Sequence, residues 1–264
     1  MPKLSVNGAQ LHYTISGEGP ETVVFSHGLL MSSEMFRGQV ELLGQDYRCI
    51  CYDHRGQGKS EVTTGGYDMD TLAEDAAALI EELGAAPCHF VGLSMGGFVG
   101  MRLAIRRPDL LRSLVLMDTS ADPEPNRAKY RVMSWVGRCF GFRPLITPLM
   151  NIMFGRSFLS DPEQSEMRER WRRHLLNLDR TGTLRSARGV IEREGVYRKI
   201  TGITTPTLVI VGEEDLGTVP EKSERIAAAI PGARLIKIPR AGHSSSIEQP
   251  RRVSEAIRGF FQSI

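Results

Sequence analysis

Cysteine is scarce in this chain and badly placed for cross-linking. The four residues at 49, 51, 88 and 139 match no zinc spacing, so neither a metal-stapled nor a disulfide-stapled scaffold is expected. All four read as reduced thiols of a cytoplasmic protein. Long apolar runs are missing too. The nearest, Val91 to Ile105, is broken by Ser94, four glycines and Arg102, short of the about 18 uninterrupted apolar residues that a membrane helix needs. The first residues, MPKLSVNGAQLHYTI, lack a basic region followed by an apolar run, so no secretory signal is expected. Charge of one sign is not in excess: 33 Lys and Arg face 31 Asp and Glu, a net +2. That balance argues against a nucleic-acid-binding surface over the whole molecule. Neither nucleic acid nor membrane is therefore expected as a partner. What remains is ordinary globular composition, 41% hydrophobic and 24% charged. At 264 residues it suffices for one large α/β domain with an insertion, or two small domains.

Two segments, Lys3 to Asn7 and Leu11 to Ser16, flank the turn signal Asn7-Gly8 and read as a hairpin at a sheet edge. Six short apolar runs follow: Thr22 to Ser26, Tyr47 to Tyr52, Cys88 to Leu93, Ser113 to Met117, Pro206 to Val211 and Arg234 to Ile238. Most lack alternation, as strands buried on both faces do. Helical periodicity lies between them, over Thr71 to Leu83, Gly97 to Arg107, Glu221 to Ile230 and Pro250 to Phe261. Alternating strand and helix predicts a mostly parallel eight-stranded sheet with right-handed crossovers and helices on its faces.

One stretch breaks the alternation. Residues 122–200 show no strand pattern, recurrent Trp, Met and Phe, and a shifted charge. Sixteen basic and nine acidic residues give this stretch a net +7, leaving −5 for the rest. A helical insertion is expected there, set into a core made of 1–121 and 201–264. Val132, Val136 and Phe140 sit at helical spacing, as core residues would. The basic run Arg168 to Arg173 reads as a solvated face, with His174 solvated beside it.

The sharpest local pattern is Gly92-Leu93-Ser94-Met95-Gly96. This G-x-S-x-G follows an apolar strand and opens a helix, the context in which a serine hydroxyl is exposed on a tight turn. The helix N-terminus points backbone N–H groups at any charge that develops there. Such a serine needs a base. His243 lies past the last strand, at the same carboxyl edge of a parallel sheet as Ser94. His54 is the other loop candidate; His89 reads as core and His12 as part of the edge hairpin. The base needs an orienting carboxylate. Asp215, in Gly212-Glu213-Glu214-Asp215, reaches the same edge; Asp118 competes from the end of the strand at Met117, and Glu213 and Glu214 are weaker candidates. Gly28, in Ser26-His27-Gly28-Leu29, lets the backbone approach a substrate, so the N–H groups of Leu29 and Met95 can hold an oxyanion.

Together these segments resemble the α/β-hydrolase superfamily. They are SHG at 26–28, DHRGQGKS at 53–60, VGLSMGG at 91–97, GEED at 212–215 and AGHSSSIEQP at 241–250, in the family's order and spanning the chain outside 122–200. The chain is similar to carboxylesterase, enol-lactonase and cofactor-free haloperoxidase branches. The resemblance implies a Ser94–Asp215–His243 triad with oxyanion donors at Leu29 and Met95, and makes 122–200 a lid. DHRGQGKS is not a phosphate loop: Asp53 stands where a Walker A glycine belongs, and Glu61 where a dinucleotide glycine belongs. Asp53 and Arg55 are expected to support the site rather than to react.

Expected chemistry is acyl transfer from a small ester or lactone through an acyl-enzyme, with no metal or organic cofactor, and with rate falling below about pH 6.5 as the base protonates. Trp135, Met153 and Phe154 are expected to line an apolar acyl pocket. An enol-lactonase, a perhydrolase using peroxide in place of water, and a ligand receptor on a hydrolase scaffold stay open as alternatives. Oligomeric state is not legible.

Overall fold

The structure, a computed structural model, describes residues 2–264. Its strands are β1 (Lys3–Val6), β2 (Ala9–Ser16), β3 (Thr22–Ser26), β4 (Arg48–Tyr52), β5 (Cys88–Leu93), β6 (Leu111–Met117), β7 (Thr207–Gly212) and β8 (Arg234–Ile238). They form one sheet in the order β1-β2-β4-β3-β5-β6-β7-β8. β1 pairs antiparallel with β2 and β2 with β4; every later pairing is parallel. Asn7 and Gly8 take φ of 45° and 72°, the left-handed pair that a two-residue hairpin turn requires.

The helices are α1 (Arg37–Leu43), α2 (Met69–Glu82), α3 (Met95–Arg106), α4 (Arg127–Phe140), α5 (Ile146–Met153) and α6 (Arg156–Ser160), then α7 (Ser165–Leu176), α8 (Arg180–Glu192), α9 (Tyr197–Ile200), α10 (Pro220–Ala229), α11 (Ser245–Glu248) and α12 (Pro250–Phe261). Asp68 caps α2 by accepting from the Thr71 N–H, and Gly84, at φ 57°, ends its run. Among the described residues no helix is long and apolar enough to cross a membrane.

Strand side chains alternate between two cores. Val24, Phe90, Leu114 and Val209 pack beneath α2 and α3, with Leu72, Leu79 and Val99. Their neighbours Val23, Val91, Val115 and Leu208 face the other way, against Phe36, Val253 and Ile257 of the opposite layer. β3, β5 and β7 are buried along their whole length, which is why their sequences show no polar alternation. Ser94 and Asp118 follow the ends of β5 and β6, Gly212 ends β7 and Ala241 comes shortly after β8, all at one rim of the sheet.

Residues 127–200 carry helices only, α4 to α9. Leu149, Met150, Met153, Phe158 and Trp171 join the second core, so this segment is packed onto the sheet layer. Two expectations fail here. Val132 and Phe140 are 62% and 66% exposed, because the inward face of α4 runs through Tyr130, Met133, Ser134 and Gly137 instead. His174 is not solvated: its Nε2 lies 3.0 Å from the Leu30 carbonyl oxygen and its ring packs edge-on against Trp171. His12, though on the edge hairpin, is buried beside Asp53.

Candidate active site

Ser94 sits between β5 and α3 with φ 53° and ψ −109°, a strained conformation for a residue with a side chain. The glycines around it are obligatory. A Cβ on Gly92 would meet the Gly96 carbonyl oxygen at 2.2 Å, and one on Gly96 would meet the Ser26 carbonyl oxygen at 1.9 Å. The turn is pinned by the Ser94 N–H donating to Met117 O and by Thr119 Oγ1 donating to Ser94 O. Strain held by this many bonds aims the hydroxyl at one point.

That point is His243. Its Nε2 lies 2.9 Å from Ser94 Oγ, and its Nδ1 lies 3.0 Å from each Asp215 carboxylate oxygen. Asp215 is itself fixed by three donors: the N–H groups of Gly217 and Thr218 and the Thr218 hydroxyl. Burial alone disfavours the imidazolium, but the Asp215 carboxylate, with Asp118 and Glu248 further off, lifts the His243 pKa above its ordinary value.

The alternatives from the sequence resolve by geometry. Asp118 does not reach the ring; it accepts from the Gly212 N–H and from the Ser245 hydroxyl. Burial, aided by the nearby Asp215, pushes its carboxyl well above the usual carboxylate range. Glu214 turns toward α6, accepting from Ser157, and Glu213 is exposed. His54 is buried against Ser26 Oγ, 3.0 Å away, and burial drives its pKa well down.

The oxyanion candidates flank the hydroxyl. Among the described residues, neither the Leu29 N–H nor the Met95 N–H is spent on another protein atom. A Cβ on Gly28 would stand 3.3 Å from Ser94 Cβ, which places this turn directly against the nucleophile. His27 shapes the turn: Nδ1 lies 2.8 Å from Gly28 O, while Nε2 accepts from the His54 N–H. Those two bonds assign the neutral Nδ1–H tautomer. The 53–60 loop does support work. Gln57 accepts from the Leu30 N–H and its Nε2 faces Met95 Sδ, Asp53 accepts from the Ser33 and Lys59 N–H groups, and Arg55 forms a buried two-point pair with Asp75. Sequence reasoning placed this loop beneath the site; the residue it missed is Gln57, whose partners are remote in sequence.

Over Ser94 and His243 lies a half-open cavity of about 130 Å³. Its walls are apolar, from Phe98, Met133, Phe142, Leu145, Leu149 and Met153, with Glu124 and Arg193 as a charged pair on one side. Met153 lines the cavity. Trp135 does not; it is 59% exposed, on the face of α4 opposite Met133. Phe154 does not either; it follows the end of α5, is 1% exposed, and stacks on Phe158 at 5.0 Å. Gly28 lies behind Leu29 and Leu30, and these two form the wall there. Among the described residues, no three His, Cys, Asp or Glu side chains group as metal ligands would.

The chain is similar to known proteins over nearly its whole length. The chain is 30% identical to a putative carbamate hydrolase RutD of Pseudomonas syringae pv. syringae, over 92% of this chain and 94% of that protein. Among solved structures, a thermophilic esterase from Thermogutta terrifontis superposes with a TM-score of 0.92 at 30% identity, covering 100% of this chain and 99% of the other. The enol-lactonase from Burkholderia xenovorans LB400 superposes with a TM-score of 0.93 at 29% identity, covering 99% of this chain and 100% of the other. A family model described as the alpha/beta hydrolase fold matches residues 21–250, a span that takes in every segment of the rim just described, and by it this chain belongs to the α/β-hydrolase family.

Proposed function

We propose that this hydrolase cleaves carboxylic esters through an acyl-enzyme on Ser94. The observation that carries the reading is the continuous chain from Ser94 Oγ through both ring nitrogens of His243 to the Asp215 carboxylate. His243 takes the hydroxyl proton as Ser94 attacks the carbonyl. Asp215 holds the ring and balances the imidazolium. The Leu29 and Met95 N–H groups receive the oxyanion; one such donor is typically worth about 10²–10³ in rate. His243 then protonates the leaving alcohol, and later activates the water that frees the acid. No cofactor enters these steps.

Residues 122–200 act as the lid, whose α4, α5 and α8 close the cavity over the serine. Its apolar walls favour a neutral, short-chain acyl or alkyl group over a small polar carbamate or a carboxylated lactone, and Glu124 already offsets Arg193 there. Four free thiols, three of them buried, suit a cytoplasmic protein.

The test is direct. Fluorophosphonate should leave its adduct on Ser94, and Ser94→Ala should abolish hydrolysis of p-nitrophenyl acetate and butyrate. An adduct elsewhere, or undiminished turnover by Ser94→Ala, overturns the reading. Lactone and carbamate substrates run alongside then rank the carbonyl classes.

A further inference from the structure

Glu248 enters none of the steps above, yet its carboxylate lies buried beside the base, at 6% exposure. Its Oε2 accepts from the Gly242 N–H at 2.9 Å and from the Gly155 N–H at 2.9 Å; its Oε1 accepts from the Ser244 N–H at 3.2 Å. Gly242 and Ser244 are the two neighbours of His243. One carboxylate therefore grips the base-bearing loop on both sides of the ring. The third donor, Gly155, belongs to the turn after α5, two residues past Met153 of the cavity wall. That turn touches the His243 loop closely: a Cβ on Gly242 would fall 2.2 Å from the Gly155 nitrogen. Glu214, next to Asp215, holds the first turn of α6, directly after this turn, by accepting from the Ser157 N–H and hydroxyl. The turn is thus tied to the base loop, and the start of α6 to the acid loop.

We propose that Glu248 is a positioning residue for the ester hydrolysis: by accepting the Gly242, Ser244 and Gly155 N–H groups it fixes the His243 ring between Ser94 and Asp215, and ties the turn at Gly155, just past the cavity-wall residue Met153, to the loop that carries that ring. Such a role presupposes the serine-hydrolase reading. A carboxylate suits it because all three partners are donors, and an ionised carboxylate accepts from every side. Capping α11 alone would account for the Ser244 bond but not for the two glycines.

The clamp also titrates. Burial pushes the Glu248 carboxyl up to about 7, with Asp215 adding to the rise and the three N–H bonds opposing it. The other charged groups facing this region are His243, Asp118 and Glu214, the last with Arg156 and Arg240 on its far side. Protonating Glu248 removes acceptor capacity while His243 takes its own proton. The acid limb of kcat in the wild type is therefore steeper than one proton.

The experiment compares wild type, Glu248→Ala and Glu248→Gln on p-nitrophenyl acetate across pH, together with the far-downfield proton resonance of the His243–Asp215 bond. Glu248→Ala should lower kcat by about 10- to 100-fold with KM changed less than about threefold, and should shift or abolish the resonance. Glu248→Gln keeps one acceptor oxygen; it should restore part of kcat and give a one-proton acid limb. A folded Glu248→Ala enzyme with wild-type kcat, pH profile and resonance overturns the proposal. So does a fall in kcat with resonance and pH profile unmoved, since that is mere loss of structure. If Glu248→Ala does not fold, a two-proton limb and unshifted resonance in Glu248→Gln overturn it equally. Should the wild type cleave no ester, the hydrolase reading fails by itself, and the resonance, which needs no turnover, still decides whether Glu248 positions the ring.

Discussion

Two buried aspartates stand at one rim, only one of them against the His243 ring, and their amide variants should separate them. Asp215 is held by three donors against His243. Asp215→Asn keeps the shape but puts an amide where the ring needs an acceptor that fixes its tautomer, and should cost up to about 10⁴ in kcat. Asp118 makes no bond to the ring, so Asp118→Asn, which keeps the Gly212 bond, should leave kcat within about threefold of wild type. Equal losses in steady-state assays would contradict this division. The same residues fix two pH trends. His243 must be neutral to accept the serine proton, and its pKa is raised. The acid limb of kcat/KM should then lie above the ordinary imidazole value of about 6.5, higher than expected from the sequence alone. Stability runs the other way. A raised pKa means the fold holds a proton that the unfolded chain has released, so the stability due to His243 and Asp118 is full below their unfolded values and fades as pH rises through the folded ones. Asp118→Asn should accordingly gain Tm over wild type near pH 8 and lose that gain near pH 4, read by thermal melts at about those values.

At the scale of elements, α4 and α5 divide what the sequence disclosed from what it concealed. Ser94 was legible because strand, glycine pair and helix are contiguous; His243 was legible because it follows the last strand of a parallel sheet. Asp215 and Asp118 stayed in competition because both follow strand ends at the same rim, and only the loop's path turns one toward the ring. For α4, apolar side chains spread over most of the circumference away from Arg127, Arg131 and Arg138, so periodicity alone did not show which of them points inward. Val132, Trp135 and Phe140 fall on the solvent side, Tyr130 and Met133 on the cavity side. Trp135→Ser should thus leave kcat/KM unchanged and stability within about 0.5 kcal/mol. Met153→Ala, at a buried wall position, should cost about 2–5 kcal/mol of stability and move the preferred acyl chain toward longer esters. A p-nitrophenyl ester series from acetate to octanoate reads the shift; an unaltered optimum would remove Met153 from the wall. Glu248 and Gln57 lay hidden for another reason: each makes a bond remote in sequence, Glu248 to the Gly155 N–H and Gln57 to the Leu30 N–H, which no local pattern marks.

Over the whole molecule, the charge split between residues 122–200, at +7, and the rest, at −5, raises the question of an anionic substrate. Distribution decides it. Many of the segment's cations are already engaged: Arg170 lies 2.9 Å from Glu34, Arg172 pairs with Glu169, and Arg188 pairs with Glu192, all on exposed faces where salt screens them. Arg193, the cation in the cavity wall, is matched by Glu124 at 3.1 Å and stacks on the Phe98 ring. The chamber that meets the substrate is therefore apolar and close to neutral, although the segment that forms its roof is basic. A neutral ester should show kcat/KM independent of ionic strength, and a carboxylated ester of equal length should gain no more than about threefold at low salt from the outer field. Stopped assays from about 20 to 500 mM salt measure both. A salt-dependent preference for the carboxylated ester above tenfold, removed by Arg193→Met, would make the charged pair a substrate clamp and shift the assignment toward anionic lactones.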